Sequence, residues 1–314
     1  MKQKLLYIFT RTPLHVGAGA SVGAIDQPVQ RERHTGFPII PGSSLKGSFV
    51  DHWDANLTQG DKQYLRVTSK KNDKDEDVVN ELLAAAWLFG SNNDKVAFTG
   101  AIQFGEGRLL AFPIRSAKGS FAWITSPLLL HRAVQAGALP ADLIKELKEP
   151  ADGRAIADGS QESKIALGRQ LVLEEYTFEV TDWTGRDRLS GHLASLLADD
   201  AVWQEVASRL VVLSDGMMSY FAQNACEVVQ HVRISDETGT AEGGGLFNQE
   251  NVPAETLFYS LVQATDSRLK AGDYSTKTAA DALAAFEAKV REIRLFQLGG
   301  DASTGLGYCT LKLD

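Results

Sequence analysis

The chain opens and closes on mirror-image segments, and that order limits its fold more than its composition does. At the front, apolar Leu5–Phe9 reads as a strand, a glycine loop follows, and Gly42-Ser43-Ser44 offers N-cap oxygens to a helix. Leu45, Phe49 and Trp53 recur along that helix at i, i+4 and i+8 and give it an apolar face. At the back, Thr278 and Asp281 form a capping-box start, and Leu283, Phe286, Val290 and Ile293 keep helical spacing. A second glycine loop, Gly299–Gly307, then leads into the strand Tyr308–Leu313. With strands between, this is the order of an α+β fold, a ferredoxin-like βαββαβ unit with large insertions.

The intervening chain predicts strands at Val96–Phe104, Arg108–Ile114, Leu171–Val180 and Thr256–Val262, and helices at Val78–Leu88, Phe121–Gly137, Ala201–Leu213 and Met217–Cys226. Gln59–Asp77, rich in Lys, Asp and Asn, reads as a solvated loop, and polar, alanine-rich Ala138–Gly168 as an insertion. Val228–Ser235 is strand-like, with Val228, Val232 and Ile234 on one face and Val229, His231 and Arg233 on the other. Turn residues and Gly243-Gly244-Gly245 after it predict a long, partly exposed β-hairpin.

Charge is distributed unevenly. The whole chain of 314 residues carries −8, which argues against a generally nucleic-acid-coating protein. Its first 50 residues hold Lys2, Lys4, Arg11, Arg31, Arg33 and Lys46 against Asp26 and Glu32, a local +4 that leaves −12 for the rest. One anion-facing surface on an acidic body is the reading. Two cysteines, Cys226 and Cys309, imply no disulfide framework. The apolar run after Met1-Lys2-Gln3-Lys4 is too short for a signal peptide or a membrane span, so a cytoplasmic location is expected.

Several familiar sites are excluded. Gly17-Ala-Gly19-Ala-Ser-Val-Gly23 has the wrong spacing for a dinucleotide fingerprint, and Pro28 follows where its helix should open. Gly42–Gly47 lacks the Gly-Lys-Ser/Thr ending of a P-loop, and the six histidines show no zinc-ligand spacing. What remains is the glycine loop with an isolated acid and a basic cluster. Gly17 and Gly19 allow close backbone approach to a ligand. Lys46, in the first turn of a helix whose dipole is already positive there, invites a phosphate, although a lone solvated lysine is the commoner case. Asp26 can bind a divalent cation or take a proton beside a phosphate; equally, it can pair with Arg31 or Arg33 and only shape the loop. His15 suits a general base or a hydrogen bond to the loop. Phe247, at the end of the glycine run, is a candidate for exposure and base stacking, whereas Tyr259 belongs in the core.

Four stretches then carry a family resemblance: PLHVGAGASVGAIDQPVQRERHTGFPIIPGSSLKGS, FPIRSAKGSFAWITSPLLLHR, RISDETGTAEGGGLFNQENVPAETLFYS and LGGDASTGLGYC. In this order they resemble the RAMP superfamily of CRISPR proteins, most closely the repeating backbone subunits of type III-B (Cmr) effector complexes. The resemblance implies a single domain over 1–314 with an RRM-like palm from 1–58, 96–115 and 254–314, insertions at 59–95 and 138–168, and a hairpin thumb at about 228–253. It implies binding of CRISPR RNA and target RNA, assembly with further copies of the chain and with other complex subunits, and cleavage of the target strand. Asp26 falls at the family's cleaving carboxylate, with His15 and Glu242 at positions implicated in the same site. Ser43, Ser44, Lys46, Gly300 and Gly305 fall where guide phosphates are held. A divalent metal ion, Mg or Mn, bound at Asp26 comes into scope for cleavage, with no ligand set readable. A non-catalytic guide-binding scaffold is the alternative, and a guide-processing ribonuclease using His15 a further one.

Overall fold

A computed structural model describes residues 1–19, 23–53, 65–71, 77–82, 84–93, 96–269 and 274–314. The elements that frame the site are strand β1 (Lys2–Thr10), helix α1 (Gly42–Trp53), strand β2 (Gly107–Ser116), hairpin strands β3 (Glu227–Ile234) and β4 (Ala241–Asn251), strand β5 (Leu257–Ala264), helix α2 (Ala279–Glu292) and strand β6 (Tyr308–Leu313). The architecture is mixed α/β. Strands run β2–β5–β1–β6 through the middle of a 13-stranded sheet, antiparallel at each of these pairings. Beyond β2 the sheet continues through Ser120–Thr125, Leu210–Val212 and Arg154–Ile156.

The continuous apolar run of β1 has a simple cause: both faces of the strand are covered. Leu6 and Ile8 join one core with Leu45 and Phe49 of α1 and Phe286 and Val290 of α2. Tyr7 and Phe9 point into a second core with Trp123, Leu189, Leu193 and Trp203. Helix α2 starts on the Thr278/Asp281 capping box that its sequence announces. Helix α1 differs from expectation. It begins at Gly42 with Ser44 and Leu45 N–H donating to the Pro41 carbonyl, so Ser43 and Ser44 lie inside its first turn and do not precede it.

Other local expectations need correction. Leu65–Lys71, inside the stretch read as a loop, is a strand paired with Asp77–Leu82; positions 59–64 and 72–76 of that stretch lie outside the described residues. The β-branched Val78-Val79 pair favours that strand, and the helix read over Val78–Leu88 is confined to Ala84–Phe89. Phe121–Gly137 splits into the strand Ser120–Thr125 and the helix Pro127–Gln135, with Ser126 as N-cap. Leu171–Val180 folds back on itself at Glu174, whose φ of 49° makes the turn between Gln170–Leu173 and Tyr176–Thr181. Ala201–Leu213 ends as the strand Leu210–Val212 after short helical turns.

The hairpin β3–β4 has two characters. Its outer part stands in solvent with its apolar side chains: Val228 is 54% exposed, Val232 52% and Leu246 66%. Its base is the reverse, because Gln249, Glu250 and Asn251 are buried polar residues. Glu250 is satisfied on every side. One carboxylate oxygen pairs with the Arg31 guanidinium at 2.5 Å, and the other accepts the Val29 N–H at 3.0 Å. Arg31 also donates to the carbonyls of Gly36 and Ala222, at 2.6 and 2.7 Å, and to Cys226 Sγ at 3.2 Å. Burial works against the Arg31 charge, but the Cys226 sulfur and the Glu250 carboxylate outweigh it and raise the pKa, so the guanidinium keeps its charge.

Such a pair is costly to break, because removal of one partner strands the other charge in the interior. Glu250→Ala is expected to lower unfolding free energy by about 3–5 kcal/mol, read from denaturant midpoints, with Glu250→Gln losing less because it keeps neutral acceptors. A loss under about 1 kcal/mol for the alanine variant, the level of an exposed pair, would show that the ion pair does not anchor the hairpin.

Candidate functional site

The site grows from one projecting loop. Its two feet are zipped together, with Gly17 bridged to Val29, Ala18 N–H donating to Pro28 O at 2.8 Å and Gln30 N–H donating to Val16 O at 2.8 Å. Gly19 (φ 88°) and Gly23 (φ 63°) occupy the left-handed region, which lets the chain reverse at little steric cost. The returning limb lies along the inner part of β4: Gln27 bridges Gln249 in parallel, its N–H donating to Asn248 O at 3.1 Å and its carbonyl accepting Glu250 N–H at 2.9 Å. Asp26 sits at this junction with an exposed side chain. Its N–H donates to Asn248 Oδ1 at 2.7 Å, while its Oδ2 accepts the Asn248 N–H at 2.9 Å. Among the described residues nothing binds its other oxygen.

His15 lies beneath the loop, 8% exposed. Its Nδ1 is 2.7 Å from the Glu250 carbonyl, to which it donates, and Nε2 faces Gly17. A Cβ at Gly17 would come within 2.9 Å of that nitrogen. The carbonyl of His15 accepts the Gly300 N–H at 2.9 Å, and a Cβ at Gly299 would meet that same carbonyl at 2.3 Å. The second glycine loop is thus docked on the root of the first. Gly305 (φ 90°) caps the turn Ala302–Thr304, and Asp301 in that loop accepts a hydrogen bond from Gln249 Nε2 at 2.9 Å.

Asp26, His15, Gly17 and Gly300 are therefore gathered around the base of β4, with Gly19 further along the loop. Arg31 is not available to RNA, because its guanidinium is turned inward onto Glu250. The same fact removes the pairing of Asp26 with Arg31, and Asp26 forms no ion pair with Arg33 either. Of the six cations in the first 50 residues, Lys4, Arg11 and Arg31 are held by Glu287, Asp200 and Glu250. Arg33 and Lys46 are exposed, as is Ser43. No contact in the described structure links Ser43, Ser44 or Lys46 to Asp26. Phe247 is half-buried, because its ring stacks on His231 across the hairpin with centroids 5.1 Å apart. Tyr259 is in the core. Glu242 falls in β4, with its side chain outside the described residues.

The polar run Asn248-Gln249-Glu250-Asn251 carries most of the contacts and escaped the sequence reading. A signal was present: consecutive polar residues ending a strand that enters a core have to be paired with something. Among the described residues no three His, Cys, Asp or Glu side chains converge to hold a metal ion. Nor is any helix among them long and apolar enough to cross a membrane. The arrangement offers one free carboxylate oxygen, exposed backbone from two glycine loops and nearby imidazole, which suits handling of a phosphodiester chain.

Known proteins resemble the chain along its whole length. The RAMP superfamily model matches residues 8–310. The chain is 33% identical over 322 residues to the CRISPR system Cmr endoribonuclease Cmr4 of Pyrococcus furiosus, covering 100% of this chain and 96% of that one. Its fold matches a crystal structure of oligomeric Cmr4 from Pyrococcus furiosus, with a TM-score of 0.65, 24% identity and coverage of 100% and 99% of the two chains. It also matches a chain of the type III-B Cmr-beta complex bound to cognate target RNA, with a TM-score of 0.69, 20% identity and coverage of 100% and 97%. A family match spanning nearly the whole chain, together with a full-length relative at this identity, establishes that the chain belongs to the RAMP superfamily.

Proposed function

We propose that this chain is the repeating backbone subunit of a type III-B CRISPR ribonucleoprotein. It binds CRISPR RNA along a helical filament, beside other copies of itself and other complex subunits, and cleaves the guide-paired target RNA through Asp26. The observation that carries this reading is the Asp26 carboxylate itself: exposed, fixed by backbone and amide groups, and set where two glycine loops meet the hairpin base. The full-length likeness to a Cmr endoribonuclease supports it. The strand order β2–β5–β1–β6, with α1 and α2 both packed on the Leu6/Ile8 face, supports an RRM-like, ferredoxin-like palm.

Each part then has a physical task. The exposed valines and Leu246 of the hairpin suit a wedge between base pairs, since apolar surface gains by leaving water for the stack. Gly17 and Gly19 bring backbone N–H groups close to phosphates, Gly300 and Gly305 leave room beside them by carrying no side chain, and Lys46, Arg33 and Ser43 are exposed partners. Target RNA held out of its regular stack aligns a 2′-hydroxyl with its own phosphate. The 2′-oxygen attacks phosphorus, the bond to the 5′-oxygen breaks, and the products are a cyclic phosphate and a 5′-hydroxyl that takes a proton from water. The free Asp26 oxygen accepts the 2′-hydroxyl proton, or would hold a cation while a water molecule takes that proton. Asp26 is the residue that would hold a magnesium or manganese ion, and such an ion would supply charge neutralisation at the scissile phosphate.

Asp26→Asn is expected to reduce slicing by the assembled complex at least about a hundredfold while guide loading and target binding are retained. Slicing at the wild-type rate would leave the chain as a non-catalytic scaffold. Lys46→Ala is expected to weaken guide binding and to make the slope of log affinity against log salt shallower by about 0.7–0.9 per subunit. An unchanged slope would place Lys46 away from the phosphates.

A further inference from the structure

We infer that Asn248 is a positioning residue for the cleavage reaction, the group through which the hairpin sets the direction of the Asp26 carboxylate. This rests on the assignment of Asp26 above. Asn248 is half-buried at the point where β4 passes from solvent into the core, one residue after the His231-stacked Phe247. Its side-chain amide holds two points of the loop, with Oδ1 accepting the Asp26 N–H at 2.7 Å and Nδ2 donating to Ala24 O at 2.9 Å. Its backbone holds two more, with N–H donating to Asp26 Oδ2 at 2.9 Å and the carbonyl accepting the Gln27 N–H at 3.1 Å. Residues 24–27 are therefore gripped at four points by one amino acid.

The consequence is chemical. One lone pair of Oδ2 is committed to Asn248, which fixes the carboxylate plane and leaves Oδ1 to face the substrate. An asparagine fits this role better than its relatives, because only a carboxamide presents an acceptor to the Asp26 N–H and a donor to the Ala24 carbonyl at once. Aspartate loses the donor and sets a second negative charge beside the first; alanine loses both. Both variants keep the backbone bonds to Asp26 and Gln27, and neither touches Glu250, so the hairpin anchor stays in place. A reacting group displaced by about 1 Å can lose up to about a hundredfold in rate.

The test uses the assembled guide-loaded complex, with Asn248→Ala, Asn248→Asp and Asp26→Asn compared to wild type in single-turnover slicing at saturating target RNA. Asn248→Ala is expected to slow slicing by about ten- to a hundredfold, with target affinity and assembly unchanged. Asn248→Asp is expected to shift the acid limb of the rate–pH profile upward, since adjacent carboxylates hold a proton more readily. A role in folding alone would not move that limb. The inference is overturned if assembled Asn248→Ala slices within twofold of wild type, or if the Asn248→Asp profile superimposes on wild type. If Asn248→Ala does not assemble, the Asn248→Asp profile decides. Inactive Asp26→Asn beside normal Asn248 variants removes the positioning role only, whereas active Asp26→Asn removes the carboxylate assignment beneath it.

Discussion

A glutamate carried into the interior at the foot of a solvent-exposed hairpin is tenable only because Arg31 meets it there. Two charges removed from water need nearly perfect hydrogen bonding to offset their desolvation. Glu250 and Arg31 achieve it with the Val29 N–H, two backbone carbonyls and a thiol. That pair fixes where β4 enters the protein and therefore what its neighbouring residues can reach. Asn248 grips the Asp26 loop, Gln249 the second glycine loop through Asp301, and the Glu250 backbone both Gln27 and His15. Three consecutive residues of one strand thus organise two loops from opposite ends of the chain.

This explains why an exposed carboxylate can still be well placed. Surface loops are ordinarily the mobile part of a fold, yet Asp26 is tied at its own N–H and at one carboxylate oxygen. The strand that anchors it is in turn fixed at its base, where Gln249, Glu250 and Asn251 are buried. Meanwhile the outer hairpin keeps apolar side chains in water, a cost that burial against a partner would remove.

The frame was legible in the sequence wherever the signal was local. The run Leu5–Phe9, the Leu45/Phe49 spacing, the Thr278 capping box and the alternation of Val228–Ser235 all declare elements that the structure contains. Local signals also misled: the helix read over Val78–Leu88 gave way to strand pairing at its β-branched start. The site was legible only in part. Asp26 stood out as an isolated acid between glycines and cations, but its partner is 222 residues away. The +4 charge of the first 50 residues looked like an anion-facing surface, yet Arg31 belongs to Glu250, 219 residues on, and Lys4 and Arg11 also face acids far along the chain. No spacing rule reaches across such separations. A buried polar run is visible in sequence as an anomaly, but its partners are fixed by the fold.

The central claim is that the β4 base presents Asp26 to the target strand, and a structure of the guide-loaded complex with bound target RNA tests it most directly. A target 2′-hydroxyl and its phosphate are expected beside the Asp26 carboxylate, within about 3 Å or across a single ion or water, with the Asn248 bonds intact. A target strand that runs elsewhere, with Asp26 facing only protein or bulk solvent, would contradict it.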